Sequence, residues 1–429
     1  MNGNDIDVAV ELLGGELLAF LQLLVRSPSV SGTEQQTQAA MAAKYRSLRL
    51  ETDIIASLRA DLEAHPAFTD DGIAFVDRLN VVGRWRGIGR GPTLILNGHM
   101  DVVPPGELAR WTHGPWSADF VGNRVYGRGS CDMKAGLTAA TFAVQALQSI
   151  GFEPEGDVLL ESVIGEESGG IGTLTTIVKG YTADACIIME PTELNLYPIQ
   201  SGALTFRISV RGLAAHASMK PMGVSAIEEF VPVLAMLQRL NTERHAQFRN
   251  PLYVDAANVA PISVGTVRAG NWHSTVPELL VAEGRLGVFP GESVEDARLA
   301  VTDALRAEAA LHPWLAKHPP ELEWFEGQFE SGETPLDAAI VQVVGRSHAA
   351  TVGSAPRVLG ATYGADLRLF TRHGGVPTVM YGPGSVSDAH TADEFVDLDQ
   401  VITCAKVLAR TIVEWSARAD HSTIVQLQA

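Results

Sequence analysis

The chain has 429 residues, 46% of them apolar and 19% charged, which is the composition of a globular protein long enough for two domains. Its formal net charge of −18 argues against nucleic acid or an anionic membrane surface as a partner. The N-terminus is acidic where a signal peptide would be basic, and no apolar stretch has the length of a membrane span. We therefore expect a cytoplasmic protein without a membrane partner.

Up to residue 200, predicted helices alternate with predicted strands. Hydrophobic periodicity predicts helices over residues 7–26, 35–48, 133–151 and 173–181. Apolar runs predict strands over residues 78–87, 93–101, 157–170 and 183–192, the third of which runs into a glycine-rich loop. The segment IGRGP joins two strands and opens no helix, so it is interpreted as a turn and not as a phosphate loop. The alternation predicts an α/β domain with a mostly parallel sheet.

The pattern changes after residue 200 and returns after residue 330. Alternating strands are predicted over 203–216, 261–270, 279–290 and 321–330, with helices over 225–241 and 292–312, which is the order of a two-layer α+β module. A helix over 335–350 and a strand over 375–384 then resume the first pattern. We predict a catalytic domain in two parts, 1–200 and 331–429, with an α+β domain inserted at 201–330.

Polar side chains follow several of the predicted strands, where an α/β sheet usually builds its active site. They are His99 and Asp101, Asp132, the pair Glu166 and Glu167, Glu190, and His390. Taken singly, each has a structural explanation, such as a helix N-cap for Asp132 or an exposed strand end for Glu190. Their common position in one sheet favours a shared function.

The chemistry that needs this set is a hydrolytic site with two metal ions. A carboxylate with two oxygen atoms can bridge the ions, and zinc accepts His and Asp or Glu ligands while keeping a position open for water. The three cysteines show no CxxC spacing, so neither a disulfide framework nor a thiolate zinc site is expected. This donor set favours zinc, with cobalt or manganese as alternatives.

Five short motifs carry a family resemblance: H-x-D, G-R-G-x-x-D-M-K-x-G, E-E-S-G-G, E-P-T and a late A-H-T. In this combination and order, from about residue 15 to 415, the chain resembles a family of dinuclear zinc metallohydrolases. Its members include acetylornithine deacetylase, succinyl-diaminopimelate desuccinylase, aminoacylase and glutamate carboxypeptidase. The inserted module coincides with the lid and dimerisation domain of that family, which implies a homodimer.

The resemblance implies a role for each motif residue. His99, Asp132 and Glu190 resemble the ligands of one metal ion. Asp132, Glu167 and His390 resemble the ligands of the other, so Asp132 would bridge the two ions. Glu166 matches the general base, and Asp101 matches a carboxylate that orients the ring of His99.

Residues of the inserted module are expected to complete the site. The resemblance implies that His216 donates a hydrogen bond to the oxyanion from the partner subunit, although a solvent-facing histidine at a strand end is the alternative. Ser274 stands where many relatives have Asn, which leaves its contact with substrate open. Arg285 and Arg357 are candidates for binding a substrate carboxylate, or are surface arginines.

The segments around EESGG, EPTELN and NWHSTVPE are closer to the acetylornithine deacetylase-like branch than to the dipeptidases. We therefore expect a metal-dependent amidohydrolase that removes an acetyl, formyl or succinyl group from an N-acyl amino acid or a related small amine. A carboxypeptidase or dipeptidase with the same site is the first alternative. A catalytically inactive binding protein is the second, and the presence of Glu166 argues against it. An enzyme with one metal or a phosphate loop is disfavoured by the number of carboxylates.

Overall fold

The computed structural model describes residues 3–254 and 258–418 of the chain. These residues divide into two compact units. The first comprises Met1–Pro198, Glu333–Leu359 and Ala365–Ala429 within the described range, and the second comprises Ile199–Gly332 with Gly360–Gly364. The short return of the second unit at residues 360–364 was not predicted from the sequence.

The helices and strands follow one another along the chain as follows. The helices are α1 (Gly3–Leu12), α2 (Gly14–Arg26), α3 (Gln35–Ser47), α4 (Arg59–Leu62), α5 (Ala135–Ser149), α6 (Ile171–Val178), α7 (Ala226–Gln247), α8 (Val294–Leu311), α9 (Ala339–Val352) and α10 (Leu398–Ser416). The strands are β1 (Glu51–Ala56), β2 (Leu79–Trp85), β3 (Leu94–His99), β4 (Phe120–Val121), β5 (Arg124–Tyr126), β6 (Val158–Val163), β7 (Ala185–Ile188), β8 (Leu196–Gln200), β9 (Gly202–Arg211), β10 (Ala215–His216), β11 (Ile262–Ala269), β12 (Thr275–Val276), β13 (Leu279–Val288), β14 (Glu321–Phe329), β15 (Gly332–Glu333), β16 (Val358–Ala361), β17 (Thr378–Met380) and β18 (Phe395–Asp397).

The main sheet has the strand order β1-β2-β6-β3-β7-β17-β8-β15, with β16 beside β8. The four central strands β6, β3, β7 and β17 run parallel, whereas β1, β2 and β8 pair antiparallel at the flanks. Strands β3, β6 and β7 are buried along their whole length, which is why they are continuous apolar runs in the sequence. The predicted α/β class with a mostly parallel sheet is confirmed.

The register of the central strands places their ends together. His99 lies opposite Val163 of β6, and Asn97 lies opposite Ile188 of β7. His99 and Glu190 each lie two residues beyond this last pair. Both therefore leave the sheet at the same level. Because the carboxyl ends of parallel strands share one edge, this edge collects the polar residues that follow each strand.

The second unit has a four-stranded antiparallel sheet in the order β11-β13-β9-β14. Strand β9 alternates between buried and partly exposed positions, as expected for a sheet with one covered face. Its buried residues pack with helices α7 and α8 in one core that includes Phe206, Val233 and Leu305. This is a two-layer α+β arrangement.

The structure differs from the predicted elements at the N-terminus. The single helix predicted over residues 7–26 is two helices, α1 and α2, separated at Leu13 beside the pair Gly14 and Gly15. Glycine weakens a helix interior because it costs more backbone entropy on folding than other residues. Within the described ranges, no single helix has the length and hydropathy of a membrane span, although α1 and α2 together, bent by 54°, meet that test as a pair.

Candidate functional site

Three loops at the carboxyl edge of the first unit's sheet carry most of the predicted site residues. His99 ends β3, Glu166 and Glu167 follow β6, and Glu190 follows β7. Asp132 lies in the tight turn that leads into α5, and its peptide bond to Met133 is cis. His390 lies in the segment between β17 and β18, in the left-handed backbone region with φ of 59°. The structure brings these residues together in the first unit.

Asp132 presents one carboxylate oxygen to each of two histidines. Its Oδ1 lies 3.0 Å from Nε2 of His99, and its Oδ2 lies 3.4 Å from Nε2 of His390. Glu190 Oε1 lies 3.8 Å from His99 Nε2, and Glu167 Oε1 lies 3.1 Å from His390 Nε2. The five predicted metal ligands therefore form two groups that share Asp132.

The ring of His99 is oriented by a backbone group. Its Nδ1 lies 2.9 Å from the carbonyl oxygen of Asp101, whereas the nearer carboxylate oxygen of Asp101 is 3.7 Å away. The prediction that the Asp101 carboxylate fixes this ring is corrected in this respect, because the carbonyl of the same residue occupies the hydrogen-bonding position. With Nδ1 donating to that carbonyl, Nε2 is free to act as a ligand atom.

The Asp101 carboxylate instead holds the loop that carries the two glutamates. Its Oδ1 accepts a hydrogen bond from the backbone N–H of Glu166, and its Oδ2 accepts one from Glu167, each at 3.2 Å. The hydroxyl of Ser31 donates to Oδ2 at 3.1 Å. Asp101 is completely buried, so these contacts replace its hydration.

A second buried carboxylate, Glu394, holds Asp132 in a similar way. Glu394 Oε1 accepts hydrogen bonds from the backbone N–H groups of Cys131 at 3.0 Å and Asp132 at 3.2 Å. Its other oxygen is paired with Arg128, which is also buried. The sequence does not distinguish Glu394 from a surface residue, because nothing in the local pattern shows that it folds back onto a turn more than 260 residues away.

The glutamates of the site are electrostatically destabilised as anions. Burial raises the pKa of Glu166 well above its ordinary value, and the carboxylates of Asp366, Glu190 and Glu167 raise it further. Burial is also the main reason that the pKa of Glu190 is raised well above its ordinary value, with Asp132 adding to the effect. Several carboxylates crowded in one buried place need a cation to be ionised together.

The pKa values of the two histidines are also raised, but for a histidine this shift favours the charged form. Burial alone would lower the pKa of His99, but its hydrogen bond to Asp132 and the nearby carboxylate of Glu190 raise it well above its ordinary value. Hydrogen bonds to Asp132 and Glu167 raise the pKa of His390 to about 10. The carboxylates thus create a strongly negative potential that attracts positive charge to this place.

The donor set fits divalent metal ions. Two overlapping groups have ligand atoms that all lie within 4.8 Å of one another: His99 with Asp132 and Glu167, and His99 with Glu166 and Glu190. Imidazole nitrogens and carboxylate oxygens are the ligands of hydrolytic zinc centres, and the accumulated negative charge matches two such ions. The residues present could therefore hold two divalent metal ions.

The remaining predicted residues lie elsewhere. His216, at the end of β10, is exposed, and its Nδ1 lies 2.8 Å from the hydroxyl of Ser218. Ser274 is half-buried with its hydroxyl 2.8 Å from Nδ1 of His273, and Arg285 is exposed on β13. Arg357 is exposed just before β16, and its carbonyl accepts a hydrogen bond from Leu196. His216, Ser274 and Arg285 belong to the second unit, and Arg357 belongs to the first.

Comparison with known proteins identifies relatives along most of the chain. The model of peptidase family M20/M25/M40 matches residues 95–414. A protein of Halalkalibacterium halodurans named N-formyl-4-amino-5-aminomethyl-2-methylpyrimidine deformylase is 28% identical over 424 residues, which covers 93% of this chain and 94% of the relative.

Two solved structures have the same fold. The dipeptidase Dug1p of Saccharomyces cerevisiae has a TM-score of 0.76 at 14% identity, over 98% of this chain and 99% of its own. A dinuclear metal-binding peptidase of the M20 family from Bacillus subtilis has a TM-score of 0.62 at 16% identity, over 94% of this chain and 98% of its own. The family resemblance read from the motifs is confirmed: the chain belongs to peptidase family M20/M25/M40 and is a hydrolase of amide bonds.

Proposed function

We propose that the protein is a dinuclear metal-dependent amidohydrolase that removes a small acyl group from an N-acyl amine or amino acid. The observation that carries the proposal is Asp132, whose two oxygen atoms lie 3.0 Å and 3.4 Å from the Nε2 atoms of two different histidines. A carboxylate placed in this way suits a bridging ligand between two ions. A formyl or other small acyl group is favoured because the deformylase relative spans nearly the whole chain.

His99, Glu190 and Asp132 would hold one ion, and Glu167, His390 and Asp132 the other. Bound there, the ions would supply Lewis acidity and a water molecule of lowered pKa. We propose zinc because the donor set consists of nitrogen and carboxylate oxygen, with cobalt and manganese as alternatives.

Glu166 is the proposed general base. It accepts a proton from the attacking water on its carboxylate and then delivers that proton to the nitrogen of the leaving amine. Its raised pKa suits both steps, because a carboxylate with a higher affinity for the proton is a stronger base toward the water and holds the proton until the amine leaves. A carboxylate oxygen of Glu166 lies within 4.8 Å of ligand atoms of His99 and Glu190, and its backbone N–H donates to Asp101.

His216 is the proposed donor to the carbonyl oxygen of the substrate. The backbone N–H of Ser218 donates to its Nδ1 at 3.2 Å, so a neutral ring carries its proton on Nε2 and can donate from that atom. We propose that it acts from the partner subunit of a homodimer formed by the second unit, and that Ser274, Arg285 and Arg357 contact the substrate. The cytoplasmic location stays a prediction from the sequence.

The test is hydrolysis by zinc- or cobalt-loaded protein across a panel of amides. The panel contains an N-formyl aminomethylpyrimidine, N-acetylornithine, N-acetylmethionine, succinyl-diaminopimelate and several dipeptides. We expect release of a small acyl group, and a decrease in kcat of about 10²- to 10⁴-fold in Glu166→Gln with unchanged metal content. Cleavage of dipeptides alone would assign the protein to the peptidases of the family.

Metal analysis separates the enzyme from an inactive homologue. We expect about two equivalents of metal per chain, and a loss of metal in His99→Ala. A wild-type protein that binds no metal and cleaves none of these amides would contradict the proposed function and favour a binding role.

A further inference from the structure

The loop that carries Glu166 and Glu167 rests on a second polar segment of the first unit. We name residues 165–170 the catalytic loop and residues 69–78 the support segment. Ser168 of the catalytic loop donates a hydrogen bond from its hydroxyl to Oδ2 of Asp71 at 3.0 Å. Arg78 donates from Nη1 to the same oxygen at 3.1 Å. A chain of two hydrogen bonds therefore joins Arg78, Asp71 and the catalytic loop.

Two glycines of the catalytic loop lie directly against the support segment. A Cβ atom added at Gly165 would lie 2.7 Å from Nη2 of Arg78, and one added at Gly169 would lie 3.2 Å from Cβ of Thr69. Gly165 also has a φ of 67°, in the left-handed region that favours glycine. Three contacts thus join the two segments: Gly165 with Arg78, Ser168 with Asp71, and Gly169 with Thr69.

The charged groups of this contact are completely withdrawn from solvent. The side chains of Arg78 and Asp71 are both 0% exposed, and Glu34, whose Oε1 lies 3.8 Å from Arg78 Nη2, is 2% exposed. Removing each charge from water costs several kcal/mol, and apolar residues of the same size are often equally stabilising. A contribution to stability is therefore a weak explanation for this group, and control of local geometry is a better one.

The catalytic loop is held on a second side by Asp101, through the backbone N–H groups of Glu166 and Glu167. Within the loop, Gly170 N–H donates to the carbonyl of Gly165 at 2.7 Å, and Gly169 N–H donates to that of Glu166 at 3.0 Å. The loop is thus a closed turn clamped between Asp101 and Asp71. Ser168 and Glu166 therefore belong to the same hydrogen-bonded turn.

We propose that Asp71 and Arg78 are positioning residues that act through Ser168 to fix the place of the Glu166 carboxylate. The inference rests on the proposed role of Glu166 as general base. This role extends to the support segment, which carries none of the family motifs. Asp71 accepts from Ser168, and Arg78 holds Asp71 in place and lies beneath Gly165.

The decisive variant is Ser168→Ala, because it removes one hydroxyl and leaves the Arg78–Asp71 pair intact. We expect a decrease in kcat of about 10-fold or more, with KM, metal content and Tm close to wild type. Hydrogen exchange, followed by mass spectrometry, should become faster in peptides that cover residues 165–170 and stay unchanged elsewhere. The matched control is Ser149→Ala, which removes a hydroxyl bonded to Ala146 at the end of α5.

A second variant, Asp71→Asn, keeps an acceptor for Ser168 but removes the charge that faces Arg78. We expect a larger decrease in kcat than in Ser168→Ala, together with a lower Tm, because a buried cation loses its nearest partner. Because the Asp71→Asn variant could fail to fold, the test of the positioning role relies on Ser168→Ala.

The outcomes distinguish this inference from the proposed function. Unchanged exchange in the catalytic loop of Ser168→Ala, or unchanged kcat in an active background, would overturn the positioning role and leave the function intact. A wild-type protein that cleaves no amide of the panel would overturn the proposed function. Faster loop exchange in Ser168→Ala would in that case still support the role of Asp71 and Arg78 in holding the loop.

Discussion

Two buried carboxylates, Asp101 and Glu394, each accept hydrogen bonds from two successive backbone N–H groups of a loop that carries site residues. A carboxylate can do this because its two oxygens accept and never donate when ionised. Each carboxylate acts on the backbone of its loop, and the loop in turn places its side chains. The geometry of the site thus depends on buried carboxylates that lie behind the residues expected to contact the substrate.

Asp101→Asn should test this role. The carboxamide keeps one acceptor but turns an N–H₂ group toward the second backbone N–H, so one of the two hydrogen bonds is lost and two donors face each other. We expect kcat to decrease by about 10- to 100-fold, and metal affinity to fall less than in His99→Ala. Steady-state kinetics and metal analysis of the purified variant measure both effects.

The control for Asp101→Asn is Asp184→Asn. Asp184 also accepts a backbone hydrogen bond, from Thr93 at 2.7 Å, but it is exposed and stands near the opposite edge of the sheet. An equal decrease in kcat in both variants would show that the effect of Asp101 is not local to the site.

Glu161 on β6 predicts a pH dependence of stability. Burial raises its pKa from 4.5 to about 7, while its Oε2 accepts hydrogen bonds from Asn97 and Thr176. Between these two values the folded protein binds a proton that the unfolded chain has released. The raised pKa of Glu161 therefore contributes to the free energy of unfolding. This contribution is fully present below pH 4.5 and is lost as the pH rises through about 7.

In Glu161→Gln this contribution disappears. The free energy of unfolding of the wild type, relative to the variant, should decrease by about 1 to 3 kcal/mol from pH ~5 to pH ~8. Urea unfolding at both pH values measures the difference. Two proteins whose stabilities change in parallel with pH would show that Glu161 does not titrate in this range.

At the scale of elements, the site depends on how loops from different strands are tied together. The loop after β7 carries Glu190, and the segment after β17 leads to His390. Thr192 joins them: its hydroxyl donates to the carbonyl of Gly382 at 3.2 Å and accepts from the N–H of Gly382 at 3.0 Å. This reciprocal pair fixes the distance between loops that supply ligands of different groups.

Thr192→Val should therefore weaken metal binding more than folding. Valine has nearly the same shape but leaves the buried N–H of Gly382 without its partner, at a cost of about 1 to 3 kcal/mol, while the carbonyl of Gly382 keeps its hydrogen bond from Leu194. We expect a lower metal affinity in competition titrations against a chromophoric chelator, with a modest decrease in Tm. Thr192→Ser keeps the hydroxyl and should retain wild-type affinity. If serine and valine behave alike, the hydroxyl does not tie the loops together.

At the scale of the whole molecule, metal binding and folding are expected to be coupled. Burial and mutual repulsion raise the pKa of Glu166, Glu167 and Glu190, so these groups oppose each other in the folded state. A divalent ion that binds only the folded state stabilises it by about 2.7 kcal/mol when present at 100 times its Kd. The ion also removes the electrostatic cost of ionising these carboxylates together.

A chelator should thus lower the Tm of the wild-type protein in calorimetry, and added zinc should restore it. His99→Ala lacks a predicted ligand and should respond less to both treatments. A wild-type Tm that is the same with and without chelator would indicate that the carboxylate cluster does not bind metal under these conditions.

Much of the fold was predictable because the central strands are buried on both faces. Strands β3, β6 and β7 are short continuous apolar runs, and this pattern, alternating with helices, is typical of a parallel sheet. The flanking strand β1 was missed, since its residues are partly exposed and carry no apolar run. The break between α1 and α2 was also missed, because the apolar periodicity continues across Gly14 and Gly15.

The sequence by itself determined which residues gather at the site. Polar side chains placed directly after apolar parallel strands must meet at one edge of the sheet, so the sequence alone groups His99, Glu166, Glu167 and Glu190. The motifs added Asp132 and His390 and identified the family.

Only the tertiary structure decided how these residues are supported. It assigned the orientation of His99 to a backbone carbonyl, and it revealed the buried roles of Glu394, Asp71 and Arg78. In the sequence Glu394 and Asp71 are charged residues in polar segments, and Arg78 is a charged residue at the start of a predicted strand; such residues usually face solvent. Their burial follows from packing against loops distant along the chain, and local sequence patterns carry no record of such contacts.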